Sequence, residues 1–539
     1  MSDQRRKLIA GLRVTSLWTL TSRVLGMVRD MATAALLGLS GSGVMDAFVL
    51  AFRIPNLFRR LFGEGALAAS YLPVLTEKLE SDRRAAWRLA SVALTLLAVV
   101  LAGLVIAGEL ICLVAWYFHG NNPEFTLLIG LSALLLPYVF LICLAAQVSA
   151  TLHALGRFGL PAFVPIALNV AWIVAAVFIA PAVSDDKATQ AYVLASSVLV
   201  GGLLQLGIQL PMLYRLGFRY DYHWSSSRAA MGVIVTSLLP MLVGLAITQI
   251  NTLADSVIAY GLSSAPGQAG PIAWLGGAVD YPMQQGATAA IYYGERLYQF
   301  PVGILGVAVA TVIFPLLSRH AARQQFDRIG PDLTLGLRLV MFLSVPAAVG
   351  LVLLAEPIAR LLFERGEFTG QDAERTARMI RGYGPGVWAY CALPVVIRGF
   401  YSLGNRTTPV RIGAAMVALN LTLNLVLVWP LAEAGLAVAT AISAGLQVIL
   451  LMLIFSRRCS PLDWPVLGQT LLRALLASTA MLTVGYPLLS WLSDGPDLTT
   501  RLLRVGLPLA ACLVVYTIVY ALFRGPELRM LTGKINEQE

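Results

Sequence analysis

Apolar runs of about twenty residues or more recur along the whole chain, separated by short polar stretches. They fall at 10–37, 44–75, 87–117, 125–154, 160–181, 189–214, 230–261, 286–317, 334–355, 377–403, 409–430, 435–456, 468–492 and 502–523. A hydrocarbon layer roughly 30 Å thick needs about 20 helical residues to cross it, because each residue advances about 1.5 Å. Within that layer only a helix or a closed barrel satisfies every backbone hydrogen bond. The pattern therefore predicts an all-α polytopic membrane protein with about fourteen transmembrane spans. Charges interrupt the first, second and eighth runs.

The connecting stretches alternate in charge. Those after span 2 (Lys78, Arg83, Arg84, Arg88), span 4 (Arg157), span 6 (Arg215, Arg219, Arg228), span 8 (Arg319, Arg323, Arg328), span 10 (Arg406, Arg411) and span 12 (Arg457, Arg458) are basic, as are both ends. The opposite stretches Gly38–Gly43, His119–Glu124 and Ser263–Gln285 carry no Lys or Arg. Retention of basic loops in the cytoplasm then places both termini there, in a bacterial inner membrane. The stretch after span 9 is the exception: Arg360, Arg365 and Arg375 stand among Glu356, Glu364, Glu367, Asp372 and Glu374.

Composition agrees. Of 539 residues 58% are hydrophobic and 13% charged, about half the charged share of a soluble domain. The net charge of +10 is scattered in small groups between apolar runs, so it does not point to nucleic acid. Five cysteines and four histidines are dispersed, with no spacing typical of a metal site. No loop exceeds roughly 25 residues, which excludes a soluble catalytic domain, and no GxxxxGK[ST] pattern is present to bind ATP phosphates. A membrane enzyme would want carboxylates or a metal on a sizeable loop. The acids here stand mostly beside arginines.

A weak internal repeat organises the chain. Leu155-Gly156 followed by Pro161 matches Leu403-Gly404 followed by Pro409, with Asn169 and Asn420 in the next spans. Spans 2 and 8 share Pro55 and Pro301, then Pro73 and Pro315. Two like-oriented six-helix lobes are expected, 1–228 and 229–458, related by a pseudo-two-fold axis along the membrane normal. Two further helices and a tail follow at 459–539. Parallel repeats of this kind are a transporter architecture with substrate held between the halves.

Charge inside the spans is the informative anomaly. Span 1 carries Arg23, Arg29 and Asp30; span 2 carries Asp46, Arg53, Arg59, Arg60 and Glu64; span 7 has Asp255, span 8 Glu295 and Arg296, and span 10 Arg398. A charge at a helix centre costs on the order of 2.5–3.5 kcal/mol on insertion scales, so these groups should face water or pair with one another. Arg53 could pair with Asp46, and Arg60 with Glu64. Asp46, Arg53 and Arg60 recur at every seventh residue, but Pro55 breaks that phase, so either Arg59 or Arg60 points inward. Guanidinium forks suit phosphate, since they donate two parallel hydrogen bonds and stay charged when desolvated. The chemistry reached from residues alone is an arginine-lined transporter for an anionic, phosphorylated substrate.

Several motifs carry a resemblance: Ser22-Arg23-Val24-Leu25-Gly26 through Arg29-Asp30, Asp46-Ala47-Phe48, Pro55-Asn56-Leu57-Phe58-Arg59-Arg60, Glu64-Gly65-Ala66 and Arg296-Leu297-Tyr298-Gln299-Phe300-Pro301. Together they closely resemble the MurJ (MviN) lipid II flippases of the multidrug/oligosaccharidyl-lipid/polysaccharide exporter superfamily. The resemblance implies transport of undecaprenyl-diphosphate-linked disaccharide-pentapeptide across the inner membrane by alternating access, not catalysis. It implies substrate binding by Arg23, Arg29, Arg59 and Arg296, supporting acids at Asp46 and Glu64, and an apolar groove from spans 13 and 14. Cell-wall synthesis proteins are the expected partners beside lipid II and membrane lipids. A flippase for another undecaprenyl-linked glycan, or a related exporter, is the alternative.

Two features depart from relatives: Gln299 stands where many carry Glu, and the Ser263–Gln285 connection is long. No organic cofactor is expected. Drive is expected from the membrane potential or an ion gradient. Asp255, Asn420, Asn424 and Thr440 resemble the sodium site of some relatives, with Asn424 at a position that is acidic there. An oxygen-only set suits a hard cation. Interhelical hydrogen bonds between buried amides would explain the same residues.

Overall fold

A computed structural model describes residues 3–63, 66–265, 270–272, 277 and 279–531. Among them eleven helices are long and apolar enough to cross a membrane. The chain is a multi-pass, all-helical membrane protein. Three anticipated spans fall outside those eleven. Span 1 is helical but charged, span 2 is divided, and span 10 is interrupted by a short 3-10 turn at Gly384–Gly386.

The chain divides into two compact units, the first comprising Met1–Tyr260, Ala265–Gly267 and Arg365–Phe368. Its helices are α1 (Asp3–Leu37), α2 (Val44–Phe58), α3 (Ala66–Ser81), α4 (Arg83–His119), α5 (Pro123–Ala154), α6 (Gly159–Val174), α7 (Ala180–Val183), α8 (Lys187–Arg215) and α9 (Trp224–Gly261), whose last residue belongs to the second unit. Short polar residues start several of them. Asp82, Asn122 and Asp186 each accept a backbone N–H from the first turn of α4, α5 and α8, satisfying donors that a helix end leaves open. Gly38 ends α1 at φ 68°, and a Cβ there would meet the Glu367 carbonyl oxygen at 2.8 Å. Only glycine suits both demands. Tyr71, Leu75, Trp87, Leu89, Val92, Val148, Leu152, Leu213 and Phe218 form a core that ties α3, α4, α5 and the end of α8 together.

The second unit comprises Gly261–Ser264, Gln268–Glu364 and Thr369–Glu539. It holds α10 (Ala287–Pro301), α11 (Val307–Ala322), α12 (Phe326–Leu353), α13 (Ala355–Phe363), α14 (Gly370–Tyr383), α15 (Val387–Ser402), α16 (Thr407–Leu431), α17 (Glu433–Arg458), α18 (Trp464–Trp491), α19 (Leu498–Leu522) and α20 (Pro526–Leu531). Phe342, Val345, Ala474, Ala477, Met481, Cys512, Tyr516 and Tyr520 pack α12 against α18 and α19. Below that core Glu527 is fully buried. It binds Arg338 at 2.9 Å and accepts from Thr470 and Tyr520, each at 2.7 Å. Burial pushes its carboxyl up, but the bonds from Tyr520, Thr470 and Arg338 outweigh that and hold it below the ordinary range.

The two prolines of the internal repeat have the same structural sequel. A π-turn covers Arg59–Gly63 after Pro55, and another covers Val302–Gly306 after Pro301. A wide turn takes one extra residue and so swings the following face by about 100°. Strict seven-residue spacing from Asp46 through Arg60 therefore does not survive as one face.

The basic exception after span 9 is explained by ion pairing. Arg360 meets Glu356 at 2.9 Å, Asp494 at 3.3 Å and Glu364 at 3.6 Å, and Arg375 meets Glu433 at 3.0 Å. Burial pushes the Asp494 carboxyl up, yet Arg504, Arg360 and Arg501 together hold it below the ordinary range. The ends of the long Ser263–Gln285 connection are joined: β1 (Ser263–Ser264) pairs in parallel with β2 (Met283–Gln284). Arg375 donates to the Gln285 carbonyl at 2.7 Å and the Gln284 carbonyl at 3.1 Å, immediately before α10.

Candidate functional site

In the first unit the site is built on the seam between α1 and α6. Ser22, Gly26, Arg29 and Thr33 recur at helical spacing and so share one face of α1. Opposite them stand Asn169 and Trp172, three residues apart on α6. The Asn169 amide donates to the Ser22 carbonyl at 3.0 Å and accepts from Arg29 at 3.3 Å. A Cβ on Gly26 would lie 3.9 Å from the Asn169 nitrogen, so the small residue lets this amide sit close. The Trp172 indole donates to Thr33 at 3.0 Å, and its ring lies 4.6 Å from the Arg29 guanidinium carbon. Arg29 also binds Asp30 through two nitrogens, at 2.8 and 3.1 Å. Both residues are buried. A buried charge that keeps its carboxylate, amide and aromatic contacts is locked in one orientation.

Arg23 lies elsewhere on the same helix. Six residues separate it from Arg29, roughly 120° around the axis, and it is exposed. The structure does not bring these two arginines to one face of α1. On α2, Asp46 and Arg53 are both buried. At the π-turn the consecutive arginines diverge. Arg59 folds back to the Asn56 side chain at 3.0 Å, while Arg60 reaches Gln249 of α9 at 3.2 Å. Glu64 lies outside the described residues. Asp255 is buried on α9.

In the second unit Arg296 stands on α10, one turn after Tyr292. Its guanidinium donates to the Tyr292 hydroxyl at 2.8 Å and its central carbon lies 4.8 Å from the centre of that ring. Tyr292, Arg296 and Gln299 are half-buried and Phe300 is exposed, so one face of α10 carries all four. Glu295 turns the other way and is buried. Arg398 on α15 lies 5.7 Å from the Phe314 ring.

The Asn420, Asn424 and Thr440 side chains are brought together. Asn424 donates to Asn420 at 3.1 Å, Asn420 donates to Thr440 at 3.3 Å, and Thr440 donates to the Leu436 carbonyl at 3.0 Å. This chain of bonds joins α16 to α17. The oxygens are of the kind a hard cation takes, but they are neutral and the Asn420 oxygen is engaged by Asn424. An entering ion would have to open that bond.

Reasoning from sequence alone missed two residues that hold arginines in place. Tyr292 was within reach, since residues four apart meet on a helix. Trp172 was not, because nothing in the sequence says that α6 packs on α1. Asn169 stood out only as a landmark of the repeat, and it proves to be a direct partner of Arg29.

Comparison with known proteins agrees with this geometry. The family model described as lipid II flippase MurJ matches residues 33–496. A probable lipid II flippase MurJ of Vibrio cholerae serotype O1 is 35% identical over 460 residues, 83% of this chain and 82% of that relative. The lipid II flippase MurJ of Burkholderia cenocepacia is 31% identical over 95% of this chain and 96% of its own length. A solved structure of lipid II flippase MurJ in an inward closed conformation shares the fold with a TM-score of 0.73, at 23% identity over 94% of this chain and 98% of that one. With both candidate arginine seats inside the matched region, the chain belongs to the lipid II flippase MurJ family.

Proposed function

We propose that this protein is a lipid II flippase of the bacterial inner membrane. It moves undecaprenyl-diphosphate-linked disaccharide-pentapeptide from the cytoplasmic to the periplasmic leaflet by alternating access, with both termini in the cytoplasm. Family membership supports the substrate. The observation that carries the chemistry is the Arg296 guanidinium seated against Tyr292 on a half-buried helix face.

A diphosphate bears charge on several oxygens and demands donors that stay protonated inside a membrane. Arg23, Arg29, Arg59 and Arg296 are the donors we assign to it. Arg29 contributes from a fixed position, while the exposed Arg23 is placed to meet an arriving headgroup. Asp46 and Glu64 are assigned a supporting role, balancing guanidinium charge. An exporter of this kind forms and breaks no covalent bond, so the work lies in holding the headgroup while its polyprenyl tail stays in lipid.

Drive is proposed to come from the membrane potential or a sodium gradient. Asp255, Asn420, Asn424 and Thr440 are the candidate ion ligands, and no step of the headgroup grip runs through an ion. Replacing sodium by choline in a reconstituted assay, with and without an imposed potential, separates the two sources.

The deciding experiment is complementation of a flippase-depleted bacterium together with flipping of lipid II by purified protein in vesicles. Arg296→Ala and Arg29→Ala are expected to abolish both while the folded protein still accumulates. Normal growth and flipping in both variants would refute the assignment. Competition by other undecaprenyl-linked headgroups tests whether the substrate is lipid II.

A further inference from the structure

Arg296 is a long side chain on a half-buried face, and such a chain normally samples many rotamers. Here it is constrained by a neighbour on its own helix. Side chains on an α-helix lean toward its N-terminus, so Arg296 reaches back over the residue four places earlier. That residue is Tyr292. Its hydroxyl accepts a guanidinium nitrogen at 2.8 Å while the guanidinium carbon stays 4.8 Å from the ring centre. The phenol therefore supplies a hydrogen-bond acceptor and a negative ring face together. Neither carries formal charge, so the seat holds the cation without cancelling it.

We propose that Tyr292 is a positioning residue for Arg296, keeping the guanidinium fork oriented for a lipid-linked diphosphate before the substrate arrives. The inference rests on the assignment of Arg296 to the diphosphate. Ordering the side chain in advance removes an entropic cost that binding would otherwise carry. A second aromatic seat in the first unit supports the principle: Trp172 lies 4.6 Å from Arg29. Trp172 is core and nearly fully buried, whereas Tyr292 is half-buried. Tyr292 can thus be altered with less disturbance of packing.

The test measures lipid II affinity and maximal flipping rate separately, on purified protein in lipid nanodiscs and vesicles. Tyr292→Leu is expected to weaken affinity roughly tenfold, leaving the thermal midpoint and the maximal rate near those of the native protein. Tyr292→Phe keeps the ring and should recover most of that affinity, with a residual loss of about threefold for the hydroxyl contact. Placing mono-, di- and trifluorinated phenylalanine at 292 drains electron density from the ring at nearly constant shape. Affinity should fall stepwise along that series, a response that a purely structural residue would not give.

Native affinity in Tyr292→Leu, with binding lost in Arg296→Ala, would overturn the seat and leave the role of Arg296 standing. Native affinity in Arg296→Ala would overturn the assignment beneath it, and the seat as well. If Tyr292→Leu does not fold, a flat response across the fluorinated series overturns the proposal.

Discussion

Arg29 and Arg296 are both held against aromatic rings, and the difference between their seats is instructive. Arg29 is buried, with a carboxylate, an amide and an indole arranged around it by two helices. Arg296 is half-buried and rests on a phenol of its own helix. The first seat is made by tertiary packing and survives only while α1 and α6 stay together. The second is made by local geometry and travels with α10 wherever that helix moves. A transporter that changes conformation has use for both: one guanidinium fixed to a rigid seam, another carried intact on a moving element.

The largest effect should come from breaking the packed seat. Asp30→Ala leaves Arg29 without its carboxylate in a buried setting, which costs about 3–5 kcal/mol and should show as a marked drop in thermal midpoint and in protein yield. An unchanged midpoint would mean that the Arg29–Asp30 pair contributes nothing to the seam. Trp172→Leu ranks next, at about 2–3 kcal/mol for lost packing and lost ring contact, read by the same measurement.

Arg296→Lys sharpens the contrast. It keeps the charge but loses the planar fork, so stability should shift by less than about 0.5 kcal/mol while flipping falls by roughly tenfold or more. A lysine variant that flips normally would show that a point charge suffices.

The smallest effect calibrates the others. Arg88 and Asp221 form a pair of nearly the same length as Arg29 and Asp30, 2.9 against 2.8 Å, yet their side chains are 36% and 38% exposed rather than 9% and 5%. The hydrogen bond from Arg88, opposed by partial burial and helped by His223, holds the Asp221 carboxyl below its ordinary range. A depressed carboxyl contributes stability above its unfolded pKa, about 3.9, and loses it as pH falls through the lower folded value. Asp221→Asn should therefore leave the midpoint unchanged within error at every pH, because an exposed pair in water contributes little. A clear loss at neutral pH that fades in acid would contradict this.

The outline of the molecule was legible because apolar length and capping residues are local signals. Asp82, Asn122 and Asp186 mark helix starts that the structure reproduces, and Pro55 announced the change of phase that became a π-turn. The acids after span 9 likewise foretold a neutralised loop, though Glu433 and Asp494, two of the actual partners, come from far along the chain. The candidate site was legible only in its charges. Which arginine is locked and which is exposed depends on Asn169 and Trp172, about 140 residues from Arg29, and no local pattern reports that approach. Tyr292 was legible in principle, since it needs nothing beyond helical periodicity.

The buried Glu527 also bears on how the protein is made. Its partner Arg338 precedes it by 189 residues, so at roughly 5–20 residues per second the ribosome needs about 10–40 s to supply the counter-ion. Throughout that interval α12 carries an arginine whose final acceptor has not been synthesised. The closing of the C-terminal helices onto α12 is thus a late event of biogenesis, completed only as the last few codons are read.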